Sequence, residues 1–126
     1  MDQSRYERGW TKLKEIDGEA GERVLQRLKN IAPDLATYLI EFPFGDVYSR
    51  PGLDLKSREI ATVAALTAMG NAAPQLKVHI QAALNTGCTR DEIIEIIIQM
   101  AVYAGFPAAL NAIFIAEEVF EERTDK

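Results

Sequence analysis

A chain of 126 residues that is 48% apolar and 26% charged has the size and balance of one compact globular domain, which excludes an intrinsically disordered segment. Nineteen acidic against fourteen basic residues leave a formal net charge of -5, which repels phosphate backbones and excludes nucleic acid as the expected partner. Cys88 is the single cysteine, Met1 to Trp10 hold no apolar signal core, and no apolar run approaches the roughly 20 residues that span a bilayer, so a cytoplasmic protein with no disulfide and no membrane segment is expected.

Ser4 and Glu7 have capping-box spacing, and Tyr6, Trp10 and Leu13 then recur at helical intervals, so an amphipathic helix opens the chain and ends near Gly18. A second helix is predicted from Gly21 to Ile31 on the stripe Val24, Leu25, Leu28 and Ile31. Pro33 suits the first turn of a third helix, which reaches Phe42 and is stopped by Pro43. Two glycines and a proline make Phe44 to Leu53 a loop or a short turn of helix. With Asp54 as N-cap, Leu55 to Met69 reads as a long alanine-rich helix closed by Gly70. After a turn at Asn71 to Ala73, Pro74 to Thr86 forms the next helix, ended by Gly87, and the two make an antiparallel hairpin. A capping box at Thr89 and Glu92 outweighs the β-branched isoleucines from Ile93 to Ile98, so that run is helical up to Gly105. Pro107 lies in the first turn of the last helix, and the charged segment Glu117 to Lys126 is expected to fray into solvent. The result is an all-α fold: one domain over residues 1–126, a compact bundle of about six helices with a central antiparallel hairpin.

The helix from Ile93 to Tyr103 is apolar on nearly every side, and a bundle of this size has little interior for such a cylinder. Contact between subunits is its expected burial site, with a central position inside one subunit as the alternative.

His79 is the only histidine and sits on a largely apolar helix face, between Gln75 and Leu76 on one side and Ala82 and Ala83 on the other. Such a histidine is either a satisfied core residue or a proton-transfer group. Glu59 shares its stripe with Thr62, Val63 and Leu66, where a carboxylate must be paired, hydrogen-bonded or protonated. Its structural partners would be Lys56, or Arg58 of a neighbouring subunit. The two arms of one hairpin carry this acid and this imidazole, so a common cleft is the sharper reading. Counted from the hairpin turn at about 1.5 Å per residue, their heights differ by roughly 9 Å, so contact requires a large crossing angle, a bridging water or a bound ligand. Cys88 precedes a helix N-terminus that could lower its pKa and admit a peroxidatic role, but with no second cysteine a small buried loop residue is the better reading. One histidine and no Glu-x-x-His pair leave no recognisable metal ligand set, and no phosphate-binding glycine loop stands out, so no cofactor is expected.

The run from Gly45 to Glu59 (Gly-Asp-Val-Tyr-Ser-Arg-Pro-Gly-Leu-Asp-Leu-Lys-Ser-Arg-Glu), followed by Ala64-Ala65-Leu66, resembles the signature of carboxymuconolactone decarboxylases. His79-Ile80-Gln81-Ala82-Ala83-Leu84-Asn85-Thr86-Gly87 is similar to that family's histidine helix, and Ala101 to Ala112 to its second glycine-proline corner. The likeness is strongest over residues 30–120. It implies the alkylhydroperoxidase D-like helical fold, usually assembled as trimers or hexamers, and a cofactor-independent decarboxylation of a lactone carboxylate such as γ-carboxymuconolactone in aromatic catabolism. In the peroxidase relatives two cysteines lie seven and four residues before the histidine; here Ala72 and Gln75 stand there. The positions of Glu59 and His79 match the proton-relay glutamate and histidine of that superfamily. His79 is then expected to donate the proton and Glu59 to orient it. Arg50 or Arg58, near Tyr48, would clamp a substrate carboxylate. The alternatives are a peroxidase or antioxidant role on the same scaffold, including weak activity through Cys88, and a non-catalytic oligomeric binding protein.

Overall fold

The computed structural model describes residues 3–124, and among them the regular structure is entirely helical. The chain divides into two compact units between Leu55 and Lys56.

The first unit opens where Ser4 Oγ accepts the N–H of Glu7 at 3.0 Å, starting α1, Arg5–Ile31. Two helices were expected here. The helical run is continuous except at Gly18, whose φ of 56° and ψ of -136° break the ladder without inserting a loop. A short α2, Pro33–Leu39, follows. Pro43 does not stop it, contrary to expectation: the turns widen into a π-helical segment, Ile40–Val47, where the Tyr48 N–H donates to the Pro43 carbonyl five residues back at 2.7 Å. Wider turns use a different ladder, so the missing proline donor and its ring are accommodated rather than terminal. The expected irregular stretch accordingly begins after Val47 and not at Phe44.

Leu13, Ile16, Leu25, Ala36, Ile40 and Phe44 form the buried side of this unit. Arg5 Nη2 lies 2.7 Å from Asp46 Oδ2, and Arg8 Nε donates to the Gly45 carbonyl at 2.7 Å. The hydrogen bond from Arg5 holds the Asp46 carboxyl below its ordinary range. Gly9 is buried against the π-helical segment, and a Cβ there would run into the Ile40 carbonyl, a backbone group that cannot swing aside. Gly9→Ala is therefore expected to destabilise the protein by about 1–3 kcal/mol, the usual cost of overpacking, read as a lower urea midpoint.

The second unit holds α3, Leu55–Met69; α4, Ala73–Asn85; α5, Arg90–Ala104; and α6, Phe106–Thr124. Gly70, at φ 74°, makes the tight exit from α3 that a side chain would strain. Thr89 and Glu92 form the expected reciprocal capping box. Val63, Leu76, Ile80, Ile93, Ile97 and Val119 close the core. The end of α6 does not fray: the helix runs to Thr124, because Val119 and Phe120 are buried and Glu122 and Arg123 bond to Lys77 and Gln81 of α4.

Glu92 also receives Lys56 Nζ at 2.9 Å. The Thr89 backbone N–H, then Lys56, hold its carboxyl below the ordinary value. A carboxyl whose folded pKa is depressed contributes stability above its unfolded pKa and loses it as pH falls through the folded one. The stability gap between wild type and Glu92→Gln is thus expected to be full at neutral pH and to close in acid, which thermal melts across the carboxylate range will register.

Candidate active site

The stripe Glu59, Val63 and Thr67 repeats every four residues along α3, and all three are fully buried. Glu59 is 0% exposed. A charged side chain at that depth requires a partner, and α4 supplies it: His79 Nδ1 lies 2.9 Å from Glu59 Oε1. With the proton on Nδ1 the ring donates to the carboxylate, which leaves Nε2 on the other side of the ring. The expected height offset does not keep the pair apart. Neither water nor ligand is needed to join the two side chains.

The two groups differ in access. The His79 side chain is 20% exposed and the Glu59 side chain 0%, so solvent reaches the imidazole but not the carboxylate. Glu59 Oε2 is buried and has no hydrogen-bond partner among the described residues. Among the described residues the carboxylate's hydrogen bond therefore goes to the ring alone.

Lys56 was a candidate partner for Glu59, but its ammonium pairs with Glu92 instead. Arg58 follows on α3 directly before Glu59 and is half-buried, its carbonyl accepting the Thr62 hydroxyl at 2.9 Å. Tyr48 and Arg50 belong to the first unit. The Tyr48 ring stacks on Phe44 with centroids 5.4 Å apart, and Arg50 is exposed, its backbone N–H donating to the Val47 carbonyl. Thus Glu59 and His79 meet, with Arg58 beside them in sequence. The Lys56–Glu92 link escaped the sequence reading because Glu92 was already accounted for by its cap.

Cys88 takes the better of its two readings, a small buried loop residue. It is buried, and burial, with Glu92 nearby, pushes its thiol above the ordinary range rather than below it. The helix N-terminus that follows does not compensate. Alkylation of Cys88 at neutral pH is expected to be at least about tenfold slower than that of a free thiol, and Cys88→Ala to leave turnover within about twofold of wild type.

The family model described as carboxymuconolactone decarboxylase family matches residues 33–118. The chain is 38% identical over 122 residues to a 4-carboxymuconolactone decarboxylase of Acinetobacter baylyi, covering 96% of this chain and 90% of that one. It is 35% identical over 103 residues to an uncharacterized 15.0 kDa protein of Paracoccus denitrificans, covering 81% and 77%. It is 33% identical over 88 residues to a nitrosuccinic acid decarboxylase of Metarhizium robertsii, covering 70% and 61%.

Proposed function

Since the chain belongs to the carboxymuconolactone decarboxylase family, we propose that it decarboxylates a lactone carboxylate such as γ-carboxymuconolactone, with His79 as proton donor and Glu59 as its orienting partner. The observation that carries this reading is the 2.9 Å contact between a fully buried carboxylate and a partly exposed imidazole. Family membership and two decarboxylase relatives support decarboxylase chemistry at a small-molecule site.

In that reaction the bond between the ring carbon and its carboxylate breaks and carbon dioxide leaves. The electron pair passes through the ring alkene onto the lactone carbonyl oxygen, giving a dienolate. His79 then delivers a proton to the carbon beside that carbonyl, and the double bond ends at the carbon that lost carbon dioxide. With Nδ1 engaged by Glu59, the proton crosses at Nε2. Glu59 holds the ring through the cycle, and water restores the proton afterwards. A guanidinium forks onto a carboxylate in two parallel bonds, so Arg58, next to Glu59 on α3, is the group proposed to clamp one of the substrate's carboxylates.

The nitrosuccinic acid relative favours one variation. A nitro group beside the departing carboxylate also accepts the electron pair on oxygen, so the same donor serves either acid. Purified protein mixed with each, followed by ultraviolet absorbance and carbon dioxide release, separates the two; silence with both removes the reading.

The protein is proposed to act as a homo-oligomer, a trimer or hexamer, in the cytoplasm. Among the described residues no helix is long and apolar enough to cross a membrane. Ile98, Val102, Tyr103 and Phe106 nevertheless stand 54–79% exposed on α5 and its exit. Apolar groups massed in this way mark a protein contact. Sedimentation is expected to give a particle of at least three chains, and Val102→Glu to dissociate it.

A further inference from the structure

A cavity of about 270 Å³ lies in the second unit, and neither Glu59 nor His79 is in its wall. Leu66 and Thr67 of α3, Leu76 of α4, and Asn111, Ala112 and Ile115 of α6 contribute to it, and no charged side chain lines it.

Thr67 sets this cavity apart. It is 1% exposed, and among the described residues its Oγ1 has no hydrogen-bond partner. Thr37, Thr62, Thr86 and Thr124 each donate their hydroxyl to the carbonyl four residues back. That local bond is how a threonine satisfies itself within a helix. Thr67 does not make it, and a buried hydroxyl left in an apolar wall is unfavourable. Rotation about Cα–Cβ exchanges its methyl and hydroxyl with little change of shape, and no hydrogen bond holds the present rotamer. The wall is therefore able to offer an O–H donor to a guest at no loss of an existing bond. Asn111, on α6, lines the same space and carries an amide donor.

We propose that this cavity is a second small-molecule site that takes a small neutral carbonyl compound. Its oxygen accepts from the Thr67 hydroxyl and the Asn111 amide, and its carbon body lies on Leu66, Leu76 and Ile115. The volume is roughly that of nine waters at about 30 Å³ each, room for a single ring bearing one oxygen. A carboxylate is excluded because no cation is there to replace its hydration.

Cyclohexanone is the probe. Titrated into protein labelled at its isoleucine and leucine methyls and asparagine amides, it is expected to shift the signals of Ile115, Leu76 and the Asn111 side chain. Thr67→Val keeps the shape and removes the hydroxyl. It is expected to weaken cyclohexanone about fivefold, the worth of one hydrogen bond, and to leave methylcyclohexane unchanged. Thr67→Ser retains the donor and is expected to retain the affinity. Should Thr67→Val not fold, Asn111→Leu, at an exposed position, makes the same comparison. Signals at the cavity that stay still, equal cyclohexanone affinity with and without the donor, or cyclohexanecarboxylate bound as tightly as the ketone would each overturn the site.

Discussion

Replacing His79 by alanine is expected to lower turnover by about 10²–10⁴-fold, the range that a positioned proton donor contributes. The same substitution has a second consequence. It strips Glu59, which is 0% exposed, of the ring that accounts for its hydrogen bond. Removing one partner of a buried pair typically costs about 3–5 kcal/mol, because the survivor stays buried and uncompensated. Partial exposure of His79 lets water relieve some of this, so the lower end of that range is expected. A lost activity therefore has two explanations, and a second substitution separates them. Glu59→Gln in the His79→Ala background removes the stranded charge and is expected to recover most of the stability in urea unfolding while recovering none of the turnover. Turnover that returns with stability would mean that His79 serves the fold alone.

Glu59→Gln by itself is the second large effect. The side chain keeps its size, but an amide either accepts from Nδ1–H without balancing the charge of a protonated ring, or turns its NH₂ toward Nδ1 and moves the ring proton to the other nitrogen. Holding an imidazole in the wrong tautomer is costly even when geometry is intact, so a fall in kcat of about 100-fold or more is expected. Because a buried Glu59 does not face the reactant, KM is expected to stay nearly unchanged. A loss confined to kcat identifies an interaction needed in the transition state and not in binding. If Glu59 were only a structural partner for the histidine, Glu59→Gln would instead lower stability and leave kcat in place.

Both residues were legible in the sequence because each violates its surroundings. One acid and one imidazole on otherwise apolar helix stripes call for a partner, and the short turn at Gly70 limits where that partner can be. The helices of the second unit were legible for a related reason: the Thr89 and Glu92 box and the glycines at 70, 87 and 105 mark ends by local chemistry that packing does not override. Two features were not legible. Pro43 inside a helix was read as a stop, since α-helical turns cannot hold it, whereas the wider turns of Ile40–Val47 do. The end of α6 looked like a solvated tail by charge alone, and its anchoring by Val119, Phe120 and the bonds to α4 depends on long-range contacts. Cys88, by contrast, was legible: with no second cysteine beside it a buried loop residue was the better reading, and it is buried, its thiol raised by that burial. The contact between Glu59 and His79 lay between these cases: the residues were evident, while a straight-rod estimate along the hairpin misjudged their distance.

The most direct test of the proton-transfer account is decarboxylation of γ-carboxymuconolactone in heavy water, with carbon dioxide and deuterium in the product counted together. Wild-type protein is expected to release one carbon dioxide and install one deuterium, beside the lactone carbonyl, for each lactone consumed, and His79→Ala to do neither above the uncatalysed rate. Undiminished release of carbon dioxide by His79→Ala, with the protein folded, would contradict it.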